Sequence, residues 1–480
     1  MINNRRKLFA SLGAAVATLL FAFNSLAAEY RPNQVIVQFK DGTVRTRSLM
    51  NPFYVSMGVT RVQRFGGNLR GMELFTLKDS IKVEDAVAEL QRSELVAFAQ
   101  PNYILKLMPN MPAVEGAPVE KAGIIDLCKQ FAPAFGLPPE LCDLFSGGLP
   151  GIPGFPGGGG QPVQRPDVQP APAETIPGLA DPDNAKAYGL TKIGALQAHT
   201  DGQVGSKNII VAVIDTGIDY NHEDLAFNVW RNPNPTNSDL VGWDVVNNDG
   251  LPFDDNEHGT HCAGTIGATG MNGIGVTGVN QRVSVMGIKF LSAQGSGDTA
   301  GAIKGIDYAV NNGAKVLSNS WGGPADNSNP ALYQAIESAK AKDVLFIAAA
   351  GNDGKNNDKP NEASYPAAFD NDNLISVAAT DSKDGVAFFS NYGKKTTHVA
   401  APGVDIYSLK PGNQYQKLSG TSMAAPHVAG AVALIWSKNP TWTYKQVKDA
   451  LMNTVDPIPA LAQKTVTGGR INVAKALQVN

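Results

Sequence analysis

The chain has 480 residues, more than one ordinary domain needs, and carries 40 Lys and Arg against 43 Asp and Glu for a formal net charge of -3. That near-neutral balance argues against the basic face on which nucleic-acid binders rely, so no nucleic-acid partner is expected. Its 50 glycines point to a fold with many tight turns.

Residues 1–27 read as an export signal. Arg5, Arg6 and Lys7 give a basic start, an apolar run covers 8–23, and Ser25 and Ala27 flank Leu26 as a small-x-small cleavage site. The run is too short to span a membrane comfortably and no later segment qualifies, so a secreted protein without a membrane span is expected, extracellular or periplasmic. The paired arginines fit a twin-arginine route loosely and a general secretory start better.

Residues 28–107 alternate as a small α+β unit. Strands are predicted over 35–39, 60–65, 72–77 and 96–102. A helix over 83–92 follows from Val83, Ala86, Val87 and Leu90 at helical spacing. Another over 46–57 is interrupted by Pro52. The order βαββαβ is ferredoxin-like, an arrangement with many uses.

Residues 108–177 turn Pro- and Gly-rich, including PGIPGFPGGGG over 150–160, and read as a flexible or extended linker. Within it, 121–135 and 138–145 have the pattern of a short helical hairpin. Cys128 and Cys142 lie close enough in sequence to pair after export.

From 178 to 480 the pattern is α/β. Apolar strands over 209–214, 283–289, 316–319, 344–349 and 374–379 alternate with helices over 299–311 and 330–341, which implies a parallel sheet covered on both faces. Three motifs punctuate this unit: Asp215 in VIDTGID at a strand's carboxyl end, His258 opening HGTHCAG, and Ser422 in GTSMAAPH before a buried helix over 423–436. Together they supply an acid, a base and a nucleophile. A serine hydroxyl must lose its proton to a base as it attacks, an imidazole suits that task near neutrality, and a buried carboxylate holds the ring in one tautomer. The serine context lacks the second glycine of a hydrolase elbow, G-x-S-x-G. Cys262, beside the base, reads as a small buried hydrophobe, with a cysteine nucleophile the sharper alternative. His258 and His261 lack the glutamate and spacing of a HExxH zinc site. His261, His427 and His222 read as structural, as does Asp219.

The order Asp, His, Ser is that of subtilisin, and from about 181 to 479 the chain resembles the subtilisin-like serine proteases, with all three motifs matching. The single cysteine resembles that of the thermitase and proteinase K branches. The resemblance implies Ser422 N–H and the Asn352 side chain as oxyanion donors. It implies substrate binding as an added strand between Gly295, Ser296, Gly297 and Ser320, Trp321, Gly322. A first specificity pocket would be lined by Ala349, Ala350, Gly351 and Ser364, roomy and apolar, with Trp321 and Thr299 bordering a second.

A structural Ca2+ is implied on Asp181, Asp224, Thr269, Asn272, Ile274 and Val276, a set of oxygen ligands that suits that ion. By its position the 28–107 unit resembles an inhibitor I9-type propeptide, a chaperone and inhibitor of its own enzyme. The expected protein is a monomeric, self-processing endopeptidase acting on proteins and peptides, broad in specificity with an apolar preference. A noncatalytic peptide binder that never matures, or a processing enzyme with one target, are the rival readings. The linker departs from the family's usual direct join of propeptide to catalytic unit.

Overall fold

The computed structural model describes residues 28–43, 47–67, 69–109, 111, 165–173, 178–323 and 329–479. The signal, the helical hairpin and the Cys128–Cys142 pairing lie outside these residues.

The N-terminal unit runs β1 (Tyr30–Phe39), α1 (Arg47–Ser56), β2 (Val59–Arg64), β3 (Met72–Leu77), α2 (Val83–Arg92) and β4 (Val96–Leu107). Its antiparallel sheet has the order β4-β1-β3-β2. Side chains alternate across it, as a pleated strand requires. Val35, Val37 and Phe39 pack with Met50, Ala86 and Leu90 on the helical side. Ile36, Met72 and Leu74 face the other way and join Ile303, Ile306 and Ile336 of the larger unit.

The predicted elements are all present, with two extensions. β1 starts at Tyr30, and β4 runs to Leu107, five residues past its predicted end, because partners from the second unit hold it. Pro52 sits inside α1 without ending it.

The larger unit is built on nine strands: β5 (Gly205–Asp215), β6 (Gly242–Asp244), β7 (Arg282–Lys289), β9 (Val316–Asn319), β11 (Leu345–Ala349), β12 (Leu374–Thr380), β13 (Val399–Pro402), β16 (Asp456–Pro457) and β17 (Gly469–Arg470). Their order is β16-β17-β13-β12-β11-β9-β5-β7-β6, parallel except for β16 against β17. Val211 and Val213 of β5 belong to one core cluster, Ala212 and Ile214 to the other, so the sheet is buried on both faces as continuous apolar strands predict.

Four helices matter for the site: α3 (His258–Gly267), α4 (Thr299–Asn311), α5 (Pro330–Lys340) and α6 (Thr421–Lys438). Four short strands lie outside this sheet: β8 (Ser296–Asp298), β10 (Trp321–Gly322), and the antiparallel pair β14 (Ile406–Lys410) and β15 (Gln414–Leu418).

β4 ties the two units together. It pairs antiparallel with β10 (Trp321 opposite Leu107, Gly322 opposite Lys106) and with β8 (Ile104, Leu105 and Lys106 opposite Asp298, Gly297 and Ser296). Upstream, Asn102 Oδ1 accepts Ala300 N–H at 2.9 Å and Gln100 Oε1 accepts Ala331 N–H at 2.9 Å, one free amide from the first turn of α4 and one from that of α5. Arg31 adds an ion pair to Asp298 at 2.7 Å.

Two stretches of the segment read as linker are packed on this unit. One is Met108 to Pro109 with Met111, described below. The other is 165–173, where Arg165 reaches Asp244 and Asp249, Tyr220 donates to Pro166 O, and Asn221 donates to Asp167 O.

Candidate active site

The three motif residues meet at the carboxyl edge of the sheet. Asp215 ends β5, His258 opens α3, and Ser422 is the second residue of α6; all three are at most 1% exposed. His258 Nδ1 lies 2.8 Å from Asp215 Oδ1. That bond fixes the tautomer and leaves Nε2, which is buried and without a partner, as the free acceptor. Burial pulls the His258 pKa down, but the charge of Asp215 outweighs it and holds it well above the usual imidazole value. Gly259 makes the approach of α3 to the turn after β5 possible: a Cβ there would stand 2.0 Å from Gly217 O.

Helix α6 carries an internal proline, Pro426, four residues after Ser422. Proline has no N–H, so the Ser422 carbonyl loses its helical partner. It is taken instead by Ser320 Oγ at 3.0 Å and Cys262 Sγ at 3.4 Å. Burial raises the Cys262 pKa, which keeps the sulfur a neutral thiol and argues against the cysteine-nucleophile alternative. Ser422 Oγ itself donates to Ser320 O at 3.4 Å.

Asn352 follows β11. Its Oδ1 is pinned by Thr421 N–H at 2.9 Å and Thr421 Oγ1 at 2.8 Å, which aims Nδ2 outward to donate to Pro109 O at 2.8 Å. The donor proposed for an oxyanion thus already holds a peptide carbonyl.

Gly295, Ser296 and Gly297 line one side of the bound tail and Ser320, Trp321 and Gly322 the other; Leu107 N–H donates to Gly295 O at 2.8 Å. Ala349 and Ala350 are fully buried beneath, and Ser364 Oγ stands beside Gly322 and the Met108 side chain. Trp321 corrects the expectation of a second pocket wall. Its indole N–H donates to Ile214 O at 2.8 Å and its ring packs edge-on to Phe290, so the side chain is core.

The remaining histidines fit their structural reading. His261 Nε2 meets Ile406 O, His427 Nδ1 meets Met423 O and His222 Nε2 meets Gln414 O. Burial lowers the first two to about 3 and about 4, which keeps both neutral. Asp219 accepts Asn221 and Gly412 N–H groups.

One residue of evident importance went unread in the sequence: Asp254. Its Oδ1 accepts Thr216 Oγ1 (2.8 Å), Asn256 N–H (3.0 Å) and Glu257 N–H (3.0 Å), and its Oδ2 accepts Thr260 N–H (2.8 Å) and Oγ1 (2.6 Å). Thr216 adjoins Asp215, while Glu257 adjoins His258 in a left-handed conformation with φ 100°. Asp254 therefore clamps both ends of the Asp215–His258 pair. An acid just ahead of a helix start was the available signal.

The six expected calcium ligands are gathered in one place. Asp181 accepts Met271 and Asn272 N–H groups; Asp224 accepts Asn272 Nδ2, Val276 N–H and Tyr415 Oη. Burial, with the Asp181 charge adding, pushes Asp224 up to about 7. Thr269 Oγ1 is buried without a partner, and the carbonyls of Thr269, Ile274 and Val276 accept no backbone hydrogen bond among the described residues. Two crowded carboxylates amid free carbonyl oxygens are a donor set that fits a hard cation.

A doubly covered parallel sheet with this acid, base and serine at its carboxyl edge defines a serine-type endopeptidase. Comparison with known sequences agrees. The Subtilase family pattern matches residues 206–473 and the Fervidolysin N-terminal prodomain pattern matches 22–102. Thermitase of Thermoactinomyces vulgaris is 40% identical over 295 residues, 62% of this chain and 97% of that protein. Subtilisin DY of Bacillus licheniformis is 41% identical over 267 residues, 56% of this chain and 90% of that protein. Subtilisin Savinase of Lederbergia lenta is 40% identical over 267 residues, with the same shares. The chain belongs to the subtilase family, and its N-terminal unit is a prodomain of the fervidolysin type.

Proposed function

We propose that this subtilase is a secreted, self-maturing endopeptidase of broad specificity with an apolar preference. In this reading the units are signal (1–27), prodomain (28–107), linker (108–177) and catalytic domain (178–480). Ser422 Oγ attacks the peptide carbonyl while His258 Nε2 takes its proton, and Asp215 stabilises the imidazolium. Asn352 Nδ2 and Ser422 N–H receive the oxyanion. His258 then passes the proton to the leaving amine, and water releases the acyl group from Ser422.

The observation that carries this is the pairing of His258 Nδ1 with Asp215 at 2.8 Å while Nε2 stays unpartnered. The small residues Ala349, Ala350, Gly351 and Ser364 support a roomy pocket, and the strands flanking β4 support substrate binding at Gly295–Gly297 and Ser320–Gly322. A bound Ca2+ on Asp181, Asp224, Asn272 and the carbonyls of Thr269, Ile274 and Val276 would neutralise the buried acids and brace the loop. Export rests on the leader sequence; no described helix is long and apolar enough to cross a membrane.

The test is the intact mass of exported wild type beside Ser422→Ala after incubation with calcium. Wild type should shed its N-terminal unit and the variant should keep it. Two chains that both stay full length, with no hydrolysis of a small peptide, would return the noncatalytic binder to favour.

A further inference from the structure

The prodomain tail lies in the cleft in an unusual register. Leu107 pairs with Trp321, so the antiparallel ladder carries Met108 to the position opposite Ser320. The Met108 side chain is buried and its sulfur lies 3.4 Å from Thr421 Oγ1. Its Cε and Ser364 Oγ each lie 3.1 Å from the point where a Cβ on Gly322 would stand. Met108 is therefore the residue in the first pocket.

A substrate cut after its pocket residue must offer that residue's own carbonyl to the oxyanion donors. Here Asn352 Nδ2 holds the next carbonyl, that of Pro109. Beyond it, Met111 N–H donates to Ser419 O at 2.9 Å, so the chain continues through the cleft past Ser422. The seat is occupied on both sides of the nucleophile by a segment shifted one residue from a reactive alignment.

Proline at 109 accounts for this. It biases the residue before it toward extended backbone, which suits Met108 in the strand, and it fixes its own φ near -65°. The bond after Met108 is also a tertiary amide: ring carbon Cδ stands where an ordinary substrate has an N–H.

We infer that Pro109 makes the tail a non-scissile ligand of its own active site, with Met108 filling the pocket and the Met108–Pro109 bond withheld from Ser422. The inference rests on the proposed catalytic roles. It means that the register seen in the cleft is the inhibitory one and that maturation cuts the chain elsewhere.

The experiment compares the full-length chain with Pro109→Ala, both incubated with calcium, by intact mass and N-terminal sequencing, with a chromogenic peptide assay alongside. Pro109 is exposed, so the substitution leaves the core intact; Pro109→Ser serves as a second variant. In either variant Ser422 Oγ adds to the Met108 carbonyl carbon and the bond to the nitrogen of residue 109 breaks. His258 delivers the serine's proton to that amine, and water frees the Met108 carboxylate. The expected result is a new N-terminus at position 109 in the variants and none there in wild type. A wild-type N-terminus at Pro109, or at Asn110 after the carbonyl that Asn352 holds, overturns the inference, as do variants that hydrolyse the peptide yet stay joined at 108–109. Loss of all processing and all peptide hydrolysis in wild type overturns the protease reading and this inference with it.

Discussion

Asn102 of the prodomain accepts the N–H of Ala300 at 2.9 Å, capping a helix that belongs to the catalytic unit. Gln100, two residues earlier on the same strand face, does the same for Ala331. Helix N-termini leave amides unpaired, and a side-chain cap is worth roughly 0.5–2 kcal/mol. Asn102→Ala and Gln100→Ala, each in the Ser422→Ala chain, should weaken docking by about that amount. Hydrogen exchange at Ala300 and Ala331 reads it: both amides should lose protection, and unchanged protection would assign docking to the apolar face alone.

Asn352→Ala should fold normally and turn over slowly. When subtilisin itself is deprived of its side-chain oxyanion donor the loss is about 2.7–4 kcal/mol, a hundred- to thousandfold in kcat. A fall of that size in kcat with little change in KM is expected here. A loss confined to KM would place Asn352 in ground-state binding.

Asp254→Asn keeps the shape and removes the charge that five donors share. Hydrogen bonds to a charged group contribute about 1.5–3 kcal/mol, so kcat should drop roughly ten- to a hundredfold if the clamp positions Asp215 and His258. The discriminating readout is the pH profile. A positioning role displaces the acid limb of kcat/KM, whereas a merely structural role lowers Tm and leaves that limb in place.

That limb itself has a predicted location. Asp215 holds His258 above the ordinary imidazole value, and only the neutral ring accepts the serine's proton. Activity should therefore fall as pH drops through a pKa higher than about 6.5. Opening the cleft relieves burial, the opposing influence, so the direction persists in the mature enzyme. Asp215→Asn should move the limb down, and a wild-type limb below 6.5 would contradict the pairing.

Chelation should lower Tm if calcium sits between Asp181 and Asp224. At a thousandfold excess over Kd a ligand specific to the folded state contributes about 4 kcal/mol. Asp181→Asn and Asp224→Asn should each abolish most of the calcium-dependent rise in Tm, and a wild-type Tm indifferent to EGTA would remove the site.

The sequence showed Asp215, His258 and Ser422 plainly because each sits in a run of residues whose local chemistry is self-explanatory: a strand end, a helix start, a glycine before an apolar helix. Asn352 was singled out through the family resemblance, since an Asn after a strand is otherwise an ordinary turn residue. Asp254 was not, since its meaning lies in partners on β5 and α3 that come together only in the fold. β4 extends beyond its predicted end because 104–107 pair with β8 and β10, about two hundred residues away in the chain. Trp321 was misplaced for a related reason: neighbouring backbone faces the cleft, but Ile214 O and Phe290 offer the large ring a better home inside.

β4 is a single strand from Val96, anchored in the prodomain core, to Leu107, at the mouth of the cleft. No joint separates the part that folds from the part that blocks. Loosening the prodomain anywhere along that strand is thus felt at Ser422, and each 1.4 kcal/mol taken from the docked state multiplies the unblocked population about tenfold. If the docked tail inhibits as proposed, this continuity makes the prodomain's own stability a timer for release, set by ordinary wear on a small domain as much as by any cut.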